Sequence, residues 1–156
     1  MARFFRRGKT QVVFTLTVPS ITAPTVSNVT TGTNLSGQIH DMAGFTFANK
    51  PIDAPDLSTP FSSKIAGPDD AADSSVKYYR DSVTNPLDVT LAKGTNGFVV
   101  IADFKVLGTW ATGDNVDVWP VQIGSNSKQY SLGNDPALAD VTFIVTSPPA
   151  LNVTLN

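Results

Sequence analysis

The side chains that ordinarily carry catalysis are scarce in this chain. It has one histidine, His40, beside Asp41; it has no Cys, and all 13 of its acidic residues are Asp. Without Cys there are no disulfides, thiolate nucleophiles, zinc–thiolate sites or iron–sulfur clusters. Without Glu, and with one His, the usual set of general bases is nearly empty. A Ser–His–Asp constellation is spatial, so His40 and Asp41 are its only seed here, but no GxSxG turn accompanies them. A single His among loop residues is more often structural. Neither a GxxxxGK[ST] loop nor a dinucleotide fingerprint is present. Asp69, Asp70 and Asp73 cluster, yet they lack the spaced ligands and terminal Glu of a calcium loop, so a solvated acidic loop is the plainer reading. Asn-X-Ser/Thr sequons start at Asn28, Asn34 and Asn152, a number that this Ser- and Thr-rich composition produces by chance. The expectation is a protein that is not an enzyme, with no metal and no cofactor.

The composition points to what the chain does instead. Charged residues make up 15%, against about 25% in ordinary soluble domains. Depletion of Lys and Glu is a property of association surfaces. Val, Ile and Thr together are 42 of the 156 residues, which favours strands, and 11 Gly with 11 Pro supply turns. No apolar stretch approaches the ~20 residues of a membrane span. Charge is uneven: Arg3, Arg6, Arg7 and Lys9 precede the first acid, Asp41. A secretory leader would need a longer apolar core and a small-residue cleavage site. A nucleic-acid tail would need more basic residues than these. Phe4 and Phe5 among the charges fit an arm, residues 1–10, that docks on a neighbouring copy.

The remaining residues, 11–156, read as one all-β domain. QVVFTLTV (11–18) alternates Val12, Phe14, Leu16 and Val18 against Thr15 and Thr17, a strand of period two. Residues 25–38 read as turns and short strands, and GFTFANK (44–50) as a short strand with Phe45 and Phe47 on one face. Residues 51–73 show no period; Pro51, Pro55, Pro60 and Pro68 punctuate them. A structureless loop of this length is usually functional or disordered. Its apolar residues Ile52, Leu57, Phe61 and Ile65 imply packing on something, here another subunit. SSVKYYRDS (74–82) is a strand. A short helix is expected at 86–93, with Asn85 as N-cap, Pro86 in the first turn, Leu87 and Leu91 on one face, and Gly94 as the stop. GFVVIADF (97–104) reads as a strand buried on both faces. A turn at Gly113 leads to VDVWPVQI (116–123), where Pro120 argues for an edge strand or a bulge. A short strand at 128–132 and DVTFIVTS (140–147) complete about seven strands and one helix, a β-sandwich or partly closed barrel.

These pieces, in this order, resemble the major tail tube proteins of long-tailed (siphovirus-type) bacteriophages. The likeness is carried by MARFFRRGKTQVVF, by NLSGQIHDMAGFTFANKPIDAPDL and by the strand–helix–strand DSSVKYYRDSVTNPLDVTLAKGTNGFVVI. The closing VDVWPVQI and DVTFIVTSPPALNVTL add to it. The absence of Glu and the sequence of 51–73 depart from the family. The resemblance implies a ring-forming sandwich, six copies per ring, with rings stacked into the tube that conducts the genome to the host. Its partners would be further copies of itself, a tape-measure protein in the lumen, and tail terminator and tail-tip proteins at the ends. Double-stranded DNA would pass without specific binding. The protein would be made in the host cytoplasm and reside in the virion tail, with no membrane insertion. Candidates for contacts between rings are Arg3, Phe4, Phe5, Arg6 and Arg7 of the arm and Ile52, Leu57, Phe61, Ile65, Asp69, Asp70 and Asp73 of the loop, with Arg6 or Arg7 meeting one of the last three. Asp103, Asp114 and Asp117 are the candidates for a mildly anionic lumen.

Two other classes share this composition. A capsid decoration or other virion β-domain would form trimers or monomers on a lattice. A carbohydrate-binding sandwich would present Trp110, Trp119, Tyr78 and Tyr79 as stacking faces, although such aromatics are more often core or interface.

Overall fold

The computed structural model describes residues 5–105 and 108–156. In chain order its elements are β1 (Thr10–Thr15), α1 (Val26–Thr30), β2 (Thr33–Asn34), β3 (Ile39–Ala43), β4 (Phe47–Asn49), β5 (Ile52–Ala54), β6 (Ser63–Ile65), β7 (Asp69–Ala71), β8 (Ser74–Tyr79), α2 (Pro86–Thr90), β9 (Asn96–Asp103), β10 (Asn115–Gln129), β11 (Leu138–Val145) and β12 (Ala150–Thr154). Eight strands make one antiparallel sheet, β2-β1-β9-β10-β11-β8-β3, with β12 also on β10. The other four form the small ladders β4–β7 and β5–β6.

Both faces of the sheet are apolar at its centre. Val12, Phe14, Val99, Trp119, Val121, Val141 and Phe143 belong to one buried cluster, while Val13, Val100, Val116, Val118 and Leu155 belong to another on the opposite face. Period-two alternation explains this, because consecutive residues of β1 and β9 go to opposite sides. Phe14 of β1 and Phe143 of β11 are separated by β9 and β10, yet their ring centroids are 6.5 Å apart. The sheet therefore curls toward the larger cluster, the partly closed barrel expected from the sequence.

The two short helices cap the two clusters. α1 contributes Val29 to the smaller one. A capping box starts it: the Thr25 hydroxyl accepts from the Asn28 N–H, and the Asn28 side chain accepts from the Thr25 N–H. The box carries Asn where Glu or Gln is usual, so its sequence signal is weak; residues 25–38 read as turns for that reason. α2 buries Leu87 and Leu91 against the larger cluster, as their spacing requires. It is shorter than expected, ending at Thr90, with Gly94 in the left-handed region at φ 87°. Asn85 does not cap it. Its amide instead closes the preceding turn, accepting from the Asp81 N–H and donating to the Asp81 carbonyl.

Three further expectations change. β1 ends at Thr15, so Leu16 is exposed and Val13 takes a core position on the second face. Residues 128–132 are not a separate strand: β10 runs on through Gln129. Pro120 is buried in the middle of β10, which is not an edge; the strand does carry register shifts, at Val116–Val118 and Ile123–Ser125, and the proline sits between them. β11 pairs with residues 121–129 of β10 and β12 with 115–118, so the two follow each other along one side. The Pro120 carbonyl accepts from the Thr146 N–H on that side. The donor-less nitrogen therefore faces the break between β11 and β12, where Pro148 and Pro149 lie and no ladder bond is lost.

Candidate assembly surface

Residues 51–73 are not a structureless loop; most of them lie within a hairpin spanning Phe47 to Ala71. Phe47, Ala48 and Asn49 pair with Ala71, Asp70 and Asp69, and Ile52, Asp53 and Ala54 pair with Ile65, Lys64 and Ser63. The register slips by one between the two ladders, and a side chain bridges the slip. The Asn49 amide donates to the Gly67 carbonyl at 2.6 Å and accepts from the Gly67 N–H at 3.1 Å, as a backbone rung would. Only glycine fits opposite it, because a Cβ on residue 67 would lie 1.9 Å from the Lys50 carbonyl oxygen. The prolines and the one-residue slip erase the alternation that would have revealed these strands in the sequence.

The outer half of this hairpin is two-faced. Ile52 and Ile65 are direct partners, so their side chains share one face, while Asp53 and Lys64 share the other and form a 3.2 Å ion pair. At the tip the Asp56 carboxylate accepts from the N–H groups of Ser58 and Thr59. The side-chain bond from Ser58, then the backbone bonds, hold its pKa below the usual carboxylate value, so the tip carries a fixed negative charge. That turn presents Leu57, fully exposed, with Phe61 76% exposed nearby. A lone two-stranded hairpin is marginal in water, and exposed ion pairs add little to it. Four large apolar side chains without cover mark it as a contact surface.

The hairpin's root is fixed more firmly. Gly44 has φ 82°, and a Cβ there would lie 2.4 Å from the Asp73 carbonyl oxygen. Phe45 follows at φ 52°, an uncommon conformation for a non-glycine residue. Its ring is seated against Trp119 and Phe143, at 5.7 and 5.9 Å between centroids. Phe45 and Phe47 therefore do not share a strand face: one turns into the core and the other begins β4. The fully buried Ser74 hydroxyl accepts from the Phe45 N–H at 2.8 Å and donates to the Ala72 carbonyl. A shallow cleft of about 220 Å³ separates β4 and β7 from Val145–Pro149.

The charged candidates take the following positions. Arg3 and Phe4 lie outside the described residues, while Phe5 and Arg7 are exposed. Arg6 makes a two-pronged contact with Asp103, at 3.2 and 3.0 Å, which raises its pKa through that hydrogen bond and charge. Thr10 donates to the same carboxylate. Asp70 pairs with Lys50, whose hydrogen bond lowers the carboxyl pKa; Asp69 accepts from the Asn49 amide. The sequence-based pairing of Arg6 with an acid of another copy thus meets a competitor in the same chain, and so does the pairing of Asp70. Arg7, Asp69 and Asp73 make no ion pair among the described residues. Asp114 pairs with Lys105 at 2.5 Å and also accepts from the Ala111 N–H; Asp117 accepts from the Asn152 N–H at 2.7 Å. Asp103, Asp114 and Asp117 each have a local structural partner.

The chemical alternatives find little support in this geometry. His40 Nδ1 is 2.7 Å from the Tyr79 hydroxyl, and the rings meet edge-on. No group of three or more His, Cys, Asp or Glu comes together among the described residues. Tyr78, Trp110 and Trp119 are buried, so they offer no stacking face for sugar. Nor, among the described residues, is any helix long and apolar enough to cross a membrane.

The family model for phage tail tube proteins matches residues 1–156. The chain belongs to that family. No curated protein matches it by sequence. Solved structures share its fold at low identity. A chain of the PVC sheath/tube terminator of an extracellular contractile injection system, in the extended state, superposes with a TM-score of 0.65 at 10% identity, covering 94% of this chain and 95% of that one. A chain of the anti-feeding prophage baseplate gives 0.65 at 8% identity over 97% and 98%. A chain of the PVC sheath–tube complex in the extended state gives 0.59 at 11% identity over 90% and 86%. The protein is a structural component of the phage tail, all-β with two short helices, and its family is one of structural tail proteins, not enzymes.

Proposed function

We propose that this chain polymerises as stacked six-membered rings that form the tail tube of a siphovirus-type phage, the conduit for genome delivery. The observation that carries this reading is the hairpin 47–71, whose apolar outer face has no partner among the described residues. The sheet adds strands with a single ladder partner, β2, β3 and β12, whose free edges invite pairing with further copies. Heterologous contacts that close give rings, and a second set along the axis gives a filament. In this reading residues 1–10 are a docking arm on the body formed by 11–156, and Arg7 and Lys9 are exposed cations of it that make no ion pair among the described residues. The tape-measure protein, the terminator and the tail-tip proteins are the remaining partners, and DNA passes without being held. Relatives of this fold within tube, sheath and baseplate structures support an assembling role.

Electron microscopy of the purified protein tests the reading. Tubes or rings are expected; particles that bind only a capsid lattice would favour a decoration protein instead. Reversing the charge of Arg7 should shorten or abolish tubes, and tubes of normal length would remove the arm from the account.

A further inference from the structure

On the sheet face that carries the smaller apolar cluster, one buried side chain is not apolar. Gln11 of β1 alternates with Val13, so both point to that cluster. Gln11 is 2% exposed, and Ala102, opposite it on β9, brings no polar side chain to it. Its Oε1 is enclosed and accepts no hydrogen bond, and its amide nitrogen donates none to a described residue. A buried amide left in this state is uncommon and destabilising. Gln11 also lines a cleft of about 220 Å³ that the assembly reading does not use. Val29 and Thr30 of α1, Asn34 of β2, and Thr109 with Trp110 are among its other walls.

The lining sets what the cleft takes. None of its side chains is ionisable. Lys105, 5.8 Å from the Trp110 ring centre, is already paired with Asp114. A charged ligand would therefore lose its hydration without gaining a counter-charge, and a purely apolar one would leave Gln11 unpaired. A neutral group that both donates and accepts satisfies the amide, and a second carboxamide does so with two parallel bonds. The chain uses the same pairing elsewhere, where the Asn49 amide exchanges two bonds with the Gly67 backbone. The last torsion of a Gln side chain is soft, so the amide can turn to present both atoms. The cleft has the volume of about seven waters, enough for such a group, and Trp110 gives it an aromatic wall. We propose that this cleft binds a neutral carboxamide, carried by a free small amide or by an Asn or Gln side chain of another polypeptide, with Gln11 as the residue that recognises it. The inference does not depend on the assembly reading.

The test titrates the full chain with propionamide and with the peptide acetyl-Ala-Gln-Ala-N-methylamide, following the Gln11 side-chain amide and the Trp110 indole N–H by NMR. Saturable shifts of both signals are expected. A peptide that binds more tightly than propionamide would assign the site to a protein segment, and propionamide alone would assign it to a free amide; either supports the site. Exchanging Gln for Met in the peptide, or Gln11→Met in the protein, should weaken binding about tenfold. No saturable shift from either probe, or a Met peptide or a Gln11→Met protein that binds as tightly as the original, would overturn the proposal. Stability gives a second measurement. Because the amide has no partner to lose, Gln11→Met without ligand should melt no lower than wild type. A clear fall would show that Gln11 is already paired inside the protein, for instance to an enclosed water, and would also overturn it.

Discussion

Tyr78 is buried on β8, and its hydroxyl donates to Asp88 on α2 at 2.7 Å, with Arg80 on the same carboxylate. Burial, then the bond to Asp88, pushes the phenol up to about 12. Because the folded value lies above the unfolded 10.0, this contribution is complete below about pH 10 and is lost as pH rises through about 12. Burial alone would raise the Asp88 pKa, but the bonds from Tyr78 and Arg80 outweigh it and the carboxyl is lowered. Its share is present above the ordinary carboxylate value and disappears as pH falls below it. Melting temperature should therefore drop at both extremes, and Tyr78→Phe should flatten the alkaline limb while costing about 1–2 kcal/mol. An alkaline limb unchanged in the variant would assign that loss to other groups. Gly44→Ala should be harsher, more than about 2 kcal/mol, because it combines a left-handed conformation with a backbone overlap. Denaturant titration would show it; near-wild-type stability would mean that the hairpin root can shift.

Strands read from the sequence with strong alternation or consecutive apolar residues, β9 and the centre of β10, are where the period places them. α2 was also legible, because Leu87 and Leu91 are four apart beside Pro86 and Gly94. The elements that escaped did so for physical reasons. α1 carries Asn28 where a capping box usually has the longer Glu or Gln. The hairpin interrupts its ladder at a slip that the Asn49 side chain closes, a rung no periodicity can reveal. The apolar candidates Ile52, Leu57, Phe61 and Ile65 are all exposed on that hairpin, and their contact with another copy is part of the proposal. For the charged candidates the sequence could not show the local pairing: whether Arg6 or Asp70 is free depends on Asp103 and Lys50, which lie far away in sequence or across a ladder. Two predictions belong to this scale. Gly67→Ala, whose Cβ would strike the Lys50 carbonyl, should disturb only the outer hairpin, leaving the melting temperature within about 2 °C of wild type while weakening assembly. Leu91→Ala, in the core beneath α2, should cost about 2–5 kcal/mol by calorimetry, with assembly following stability. A Gly67→Ala variant that melts early would make the hairpin part of the cooperative core.

At the scale of the molecule, a curled sheet with its own two apolar clusters holds out a surface that the described residues leave bare. The apolar hairpin at one end of the sheet makes the protomer directional, and free edges on β2, β3 and β12 give it sides. On the proposed reading such a unit folds as a monomer and completes its surfaces by polymerisation. Changing exposed tip residues should therefore separate folding from assembly: Leu57→Asp with Phe61→Asp should leave the monomer's stability within about 0.5 kcal/mol and suppress polymer growth.

The most direct measurement is electron microscopy of the purified wild-type chain under conditions where its monomer is folded. The account predicts tubes of uniform diameter built of stacked rings. A field of single particles that persists however concentrated the sample, with the hairpin exposed and no second copy against it, would contradict it.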